Sequence, residues 1–293
     1  MGLEFRSIFI SDVHLGTPDC RADYLLDFLR STRCQQLYLV GDIVDIQAMA
    51  HRSRWPQAHR DVVSELFAIA ARGTRVTYIP GNHDAPLRSL CGQFLGGIGI
   101  QLGAVHVGAD GRRYRVSHGD EFDPERIGRS WLEWIGEYGH RGLCLLNRTV
   151  ASLRRMARLP YLPLSIIAKT RLAGAMTYID AYEQRVAAAC AEAGFDGHIC
   201  GHIHFGNLRR IGDVLYMNDG DWVEHCTALV ETRDGTMQLL HWSEKQAALA
   251  HSGSDQLIPA RTAPLALAPL ARHSSPMLGT TPKTASAKLD RVG

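Results

Sequence analysis

The stretch Ser7–Gly16, SIFISDVHLG, runs from four strand-forming residues into a turn that carries an aspartate and a histidine two positions apart. Ile8, Phe9 and Ile10 predict a buried strand, and the polar and glycine residues after them predict where it ends. Outward from this stretch, Ala22–Arg30 reads as a helix and Leu37–Val40 as a second strand. A helix over Gln57–Arg72 and a strand over Arg75–Ile79 come next. The order β-α-β-α-β implies parallel pairing, because parallel neighbours need a crossover connection. Later runs at Tyr114–Ser117, Gly197–Cys200, Val214–Met217, Thr227–Val230 and Met237–Leu240 also read as strands. Brief turns such as Asp234-Gly235 lead us to expect hairpins among them. The fold class is therefore α/β, with mixed pairing and flanking helices.

Between about Asp123 and Val186 the strand signal gives way to helical spacing, with Trp131, Trp134, Ile135 and Tyr138 and then Leu145, Leu146, Val150 and Leu153. We read a helical cap inserted at about 124–186, broken at Pro160 and Pro163. From 245 to 293 the chain is rich in Pro, Ala, Ser and Thr and has no aromatic residue, so a disordered tail is expected behind a domain spanning 1–244.

The composition, 45% hydrophobic and 21% charged over 293 residues, excludes collagen, wholesale disorder and a multi-span membrane protein. Lys+Arg 32 against Asp+Glu 30 is too balanced for a protein whose main partner is a nucleic-acid backbone, so no nucleic acid is expected. Seven scattered cysteines, none in C-x-x-C, describe neither a disulfide framework nor a thiolate zinc site. Met1–Ser7 lacks the pattern of a cleaved leader, Arg6 stands where a myristoylation signal needs Ser or Thr, and no apolar run approaches a membrane span. A cytoplasmic protein is the expectation, and its oligomeric state is left open.

Five motifs stand where the strands end: Asp12-Val13-His14, Gly41-Asp42-Ile43-Val44-Asp45, Gly81-Asn82-His83-Asp84, Ser117-His118-Gly119-Asp120 and Gly201-His202-Ile203-His204. Strand ends of an α/β sheet are where ligand sites assemble. Their carboxylates, imidazoles and one carboxamide form an oxygen and nitrogen donor set suited to Mn2+, Fe or Zn2+. Two ions about 3.5–4 Å apart need a bridging carboxylate, and Asp42 is the natural bridge. His83 would face a substrate, stabilising phosphoryl charge or protonating a leaving oxygen, with Asp84 placed to orient it.

In this order the motifs resemble the calcineurin-like metallophosphoesterase family, over about Ile8 to Trp242. The resemblance implies an α/β/β/α sandwich. It implies Asp12, His14, Asp42 and His204 around one metal, Asp42, Asn82, His118 and His202 around the other, and His83 as the catalytic histidine. Two divalent ions are implied, Mn2+ first, with Fe or Zn2+ as alternatives. SDVHLG, LVGDIVD, PGNHD, SHGDEFD, CGHIH and NDGDWVEHCTALVE (Asn218–Glu231) further resemble the bacterial group related to UDP-2,3-diacylglucosamine pyrophosphatase, which acts in lipid A biosynthesis. Enzymes of that pathway typically carry Arg where His83 stands and Glu where Asp45 stands. The alternatives are a phosphodiesterase or phosphatase acting on another nucleotide or lipid, and a non-catalytic scaffold.

Between Arg148 and Arg171, the basic residues Arg154, Arg155, Arg158, Lys169 and Arg171 interleave with Leu162, Ile166 and Ile167 and with no acidic residue. Such a surface suits a phosphorylated lipid and peripheral contact with an anionic membrane on its cytoplasmic face. It also suits an ordinary cap helix whose arginines face water. Arg52, Arg54 and Trp55 could receive a phosphate and stack on a base, or simply cover the site as a solvated loop. His106, His140, His198, His225 and His241 are read as structural or exposed, Cys200 as a packing residue, and Asp219, Asp221 and Glu224 as turn and supporting residues.

Overall fold

The computed structural model describes residues 2–50, 55–123 and 173–243. All of them belong to one compact unit, Met1–Ala260, and the second unit, Arg261–Gly293, lies outside them. Most of the expected cap and the whole expected tail fall outside the described residues as well.

Among the described residues twelve strands form two sheets. In chain order they are β1 Leu3–Ile10, β2 Thr32–Val40, β3 Arg75–Ile79, β4 Phe94–Leu95, β5 Ile98–Ile100, β6 Ala104–Val107, β7 Arg113–Val116, β8 Gly197–Cys200, β9 Asn207–Ile211, β10 Val214–Asn218, β11 Thr227–Glu231 and β12 Met237–His241. The helices are α1 Ala22–Ser31, α2 Ile46–Met49, α3 Gln57–Ala71 and α4 Ala173–Glu192. One sheet runs β12-β11-β1-β2-β3-β5-β4 and the other β6-β7-β8-β10-β9.

The β-α-β-α-β reading holds: β1 pairs parallel with β2, and β2 parallel with β3. The hairpin expectation holds for β11 with β12, joined through Asp234-Gly235; β10 forms a second hairpin with β9, a strand not read from the sequence. It fails for β7 with β8 and β8 with β10, which are parallel. The physical reason is the connection. The chain between β7 and β8 includes α4, long enough for a crossover, and β9 places itself on the far side of β10.

Alternation along the strands separates the layers. Ile8, Ile10, Leu37 and Leu39 pack with Leu25, Phe28 and Leu29 of α1 and Val62, Leu66 and Ile69 of α3. The intervening Phe9, Tyr38 and Val40 pack with Tyr114, Val116, Ile199 and Met217 of the second sheet. Cys200 and Tyr216, of opposite parity to Ile199 and Met217, meet Tyr182 and Val186 of α4. The result is helix, sheet, sheet, helix, as the resemblance implied. α1 is helical for local reasons too: Leu25, Phe28 and Leu29 recur at helix spacing, with Asp23 in the first turn and Arg30 in the last.

Between the sheets, away from the strand ends that carry the motifs, Glu231 is fully buried and accepts from both Arg6 and His106, at 2.7 Å and 2.9 Å. No helix among the described residues is long and apolar enough to cross a membrane.

Candidate metal centre

The first, second and fifth motifs leave their strands through tight backbone bends. Six non-glycine residues among those described have positive φ, and five of them are Asp12 (50°), His14 (52°), Asp42 (54°), His202 (71°) and His204 (51°). The left-handed region costs an L residue about 1–2 kcal/mol, so its concentration here marks a geometry that the surrounding fold enforces. Backbone bonds do the enforcing: the amides of Asp12, Val13 and His14 donate to the carbonyls of Gly41 and Asp42 at 2.9–3.1 Å. Gly81 lets the third motif approach. A Cβ there would collide with Asp42 Oδ1 and come within 2.7 Å of the His118 ring.

The bends bring three trios of donor atoms together, Asp12/His14/His204, His14/Asp45/His83 and Asp12/Asp42/His118, each with its atoms within 4.8 Å of one another. Asp12 Oδ1 lies 3.2 Å from His204 Nε2, and Asp42 Oδ2 lies 3.2 Å from His118 Nε2. The rings are oriented from outside. His118 Nδ1–H donates to the Val40 carbonyl at 2.9 Å, His14 Nδ1 faces Asp45 Oδ2 at 3.2 Å, and His202 Nε2 faces Asp123 Oδ2 at 3.1 Å. For His14 and His118 the second nitrogen then meets the other donors, Nε2 of His14 at 3.3 Å from His204 Nε2 and Nε2 of His118 at Asp42, the arrangement expected of metal-ligating histidines; His202 joins none of the three trios.

The donor set fits a pair of divalent ions. Asp12 Oδ1, Asn82 Oδ1 and His118 Nε2 are buried and make no hydrogen bond, a costly state for polar atoms unless a cation satisfies them. Charge says the same. Burial alone would push the His118 imidazolium down, but the Asp42 carboxylate outweighs it and lifts the group to about 10. Burial raises Asp42 as well, yet His118 holds it well below the usual carboxylate range. A proton on His118 thus offsets the carboxylates where a cation would.

His83 sits at the edge of the centre, its side chain 34% exposed. Its amide donates to Asp42 Oδ1 at 2.7 Å, and its Nδ1 lies 3.0 Å from Asp45 Oδ2. The expectation that Asp84 orients this ring is corrected. Asp84 is fully buried and accepts instead from the Gly81 amide at 2.5 Å, the Ile43 amide at 3.0 Å and the Tyr78 hydroxyl at 2.5 Å. It ties the second and third motif loops together, and Asp45 is the residue that meets His83. Asp45 and Asp123 were not assigned from the sequence, although both close motifs that the sequence displays.

Arg52, Arg54, Arg154, Arg155, Arg158, Lys169 and Arg171 lie outside the described residues. Trp55 packs against the core under α3, and its ring meets His59 edge on at 5.8 Å. His106, His198 and His225 are buried and engaged by Glu231, Ser117 and Asp221 respectively. Burial pushes the Cys200 thiol up, away from a reactive thiolate. Asp219 accepts from Ser11 Oγ at 2.5 Å, directly behind Asp12.

A cavity of about 820 Å³ adjoins the centre, lined among others by His118, Asp123, Arg88, Arg115, Leu102 and Val105.

The family model described as Calcineurin-like phosphoesterase matches residues 5–206. Among solved structures, the E. coli phosphoesterase Yfce is 15% identical, with 80% of this chain and 98% of that one covered and a TM-score of 0.38. A predicted phosphoesterase from Streptococcus pneumoniae TIGR4 is 14% identical, with 80% and 97% covered and a TM-score of 0.34. Phosphopantetheinyl hydrolase from Mycobacterium tuberculosis is 14% identical, with 76% and 92% covered and a TM-score of 0.35. No curated protein matches the chain. The family match spans well over half of the sequence and takes in all five motifs: the chain belongs to the calcineurin-like phosphoesterase family of dinuclear-metal-dependent phosphohydrolases.

Proposed function

We propose that the chain hydrolyses the phosphoanhydride of a nucleotide-linked lipid, in the manner of a UDP-2,3-diacylglucosamine pyrophosphatase of lipid A biosynthesis. The observation that carries this reading is the cavity beside the centre. It joins His118 and Asp123 to two arginines, Arg88 and Arg115, and to Leu102 and Val105, which are 65% and 47% exposed. An amphipathic substrate would place its phosphates near the centre and its apolar part on those side chains. Each methylene so covered contributes about 0.8 kcal/mol, against about 0–1 kcal/mol for an exposed ion pair.

Asp12, His14, Asp42 and His204 would hold one ion, and Asp42, Asn82, His118 and His202 the other, with Mn2+ as the leading candidate. When bound, the ions supply electrophilic activation of the phosphoryl group and of the attacking water. The rest falls to the chain. Asp45 Oδ2, 3.0 Å from His83 Nδ1, would orient the ring so that Nε2 is left for the leaving oxygen. Work at the cytoplasmic face of a membrane, with peripheral contact to anionic lipid, goes with such a substrate.

His83 also favours a second reading, a phosphodiesterase or phosphatase for another nucleotide or lipid, because pathway enzymes typically carry Arg there. The deciding experiment compares kcat/KM of the Mn2+-loaded full chain on UDP-2,3-diacylglucosamine, on its deacylated counterpart and on a generic phosphodiester. A clear preference for the acylated substrate is expected. Equal rates on all three would favour the second reading, and no turnover of any would favour a binding scaffold.

A further inference from the structure

Asp123 closes the short 3-10 turn Asp120–Phe122 that follows His118. Its Oδ2 accepts from the Tyr178 hydroxyl at 2.9 Å and lies 3.1 Å from His202 Nε2. Both side chains of the His202 pair are largely shielded, 13% and 15% exposed. The turn is held by α4 at two more points. Tyr182 donates its hydroxyl to the Gly119 carbonyl at 3.0 Å, and Arg185 Nε donates to the Phe122 carbonyl at 2.9 Å. Tyr178, Tyr182 and Arg185 are spaced by four and three residues, so one face of α4 grips the whole segment from Gly119 to Asp123.

Two other candidate ligand histidines, His118 and His14, are braced differently. His118 is braced by the Val40 carbonyl of β2, and His14 by Asp45 in the loop after β2, both within the sheet framework. His202 is braced by a carboxylate that a helix outside the sheets holds in place.

We propose that Asp123 is a positioning residue for His202. By accepting the Nε2 proton it fixes the tautomer that leaves Nδ1 for the metal, and α4, through Tyr178, sets how firmly that ring is held. The affinity of one of the two metal positions is thereby coupled to the seating of α4. This rests on the reading of the five motifs as a metal centre.

The test is titration of the metal-free full chain with Mn2+ by calorimetry, alongside electron paramagnetic resonance of the loaded protein. The wild type is expected to take up two ions and show the signal of a spin-coupled pair. Asp123→Ala should weaken one ion by about 10- to 100-fold, leave the other unchanged and replace the coupled signal with that of an isolated ion. Asp123→Asn, which keeps an acceptor oxygen but not the charge, should fall between. Tyr178→Phe should weaken the same ion several-fold, and it decides the matter if Asp123→Ala does not fold. Two ions bound with wild-type affinity in these variants, or equal weakening of both, would overturn the role of Asp123 alone. A wild type that binds no Mn2+ would overturn the metal centre itself.

Discussion

His14 and His204 present their Nε2 atoms to each other across 3.3 Å, with ring planes 23° apart. His14 Nδ1 faces Asp45 Oδ2 at 3.2 Å, and with its proton there the ring would offer the Nε2 lone pair to the interior. Asp12 Oδ1 completes the group at 3.2 Å from His204. Lone pairs brought this close are stabilised by a cation among them.

Asp42 is the carboxylate proposed above to serve both ion positions, so its loss should be felt at both. Asp42→Ala is expected to bind at most one ion and to lose hydrolysis by about 10³-fold or more, on the scale of removing a principal electrostatic stabiliser. Metal analysis and kinetics on the same preparation check this. Chelator should silence the wild type reversibly, and full activity in excess chelator would contradict the metal reading.

His83 and Asp45 should separate chemistry from metal retention. His83→Ala is expected to lower kcat by about 10²-fold with the metal content unchanged. Asp45→Ala should lower kcat and weaken metal binding together, because its Oδ2 serves both His83 and His14. His83→Arg is the informative companion. If it improves turnover of UDP-2,3-diacylglucosamine relative to a generic diester, the position tunes substrate choice. A His83→Ala protein that loses metal and recovers on metal supplementation would make this residue a ligand.

Gly81→Ala should impair the site without unfolding the chain. The added methyl meets Asp42 Oδ1 and the His118 ring rather than the core. Two ions should no longer bind tightly, while the far-ultraviolet circular dichroism stays that of the wild type. Unchanged metal affinity would show that the third motif loop can retreat.

Acid should destabilise the fold through Glu231. Burial raises this carboxyl, but bonds from His106, the Ala109 amide, Arg6 and Ser7 outweigh it and hold the group at about 2, below its ordinary 4.5. A depressed carboxyl contributes stability that is fully present above pH 4.5 and is lost as pH falls toward 2. Urea midpoints of the wild type should therefore drop across that window. Glu231→Gln, expected to cost about 3 kcal/mol at neutral pH by leaving buried partners uncompensated, should show a shallower drop.

The β-α-β-α-β half was legible because strands such as Ser7–Ile10 are continuous apolar runs and Ala22–Arg30 has helical spacing. Strands β4 and β5 were not, being two and three residues long with Gly99 inside the second. Strand β6 hid because His106, a polar residue, faces inward while Val105 and Val107 face out, inverting the usual alternation. In the site, the motifs announced their own chemistry but not their supporting partners. Asp123 and His202 are 79 residues apart, and only the packing of α4 reveals that they meet. Asp84 misled because adjacency in sequence suggested His83, whereas its carboxylate turns inward to two amides and a tyrosine.

The donors come from both layers of the sandwich: Asp12, Asp42 and Asn82 follow strands of one sheet, and His118, His202 and His204 follow strands of the other. Neither layer holds a complete set, so bound ions would act as rivets across the seam. Catalysis would then report on docking of the layers rather than on formation of either layer. On gradual denaturation, turnover should vanish before the helical signal does, and added Mn2+ should delay both.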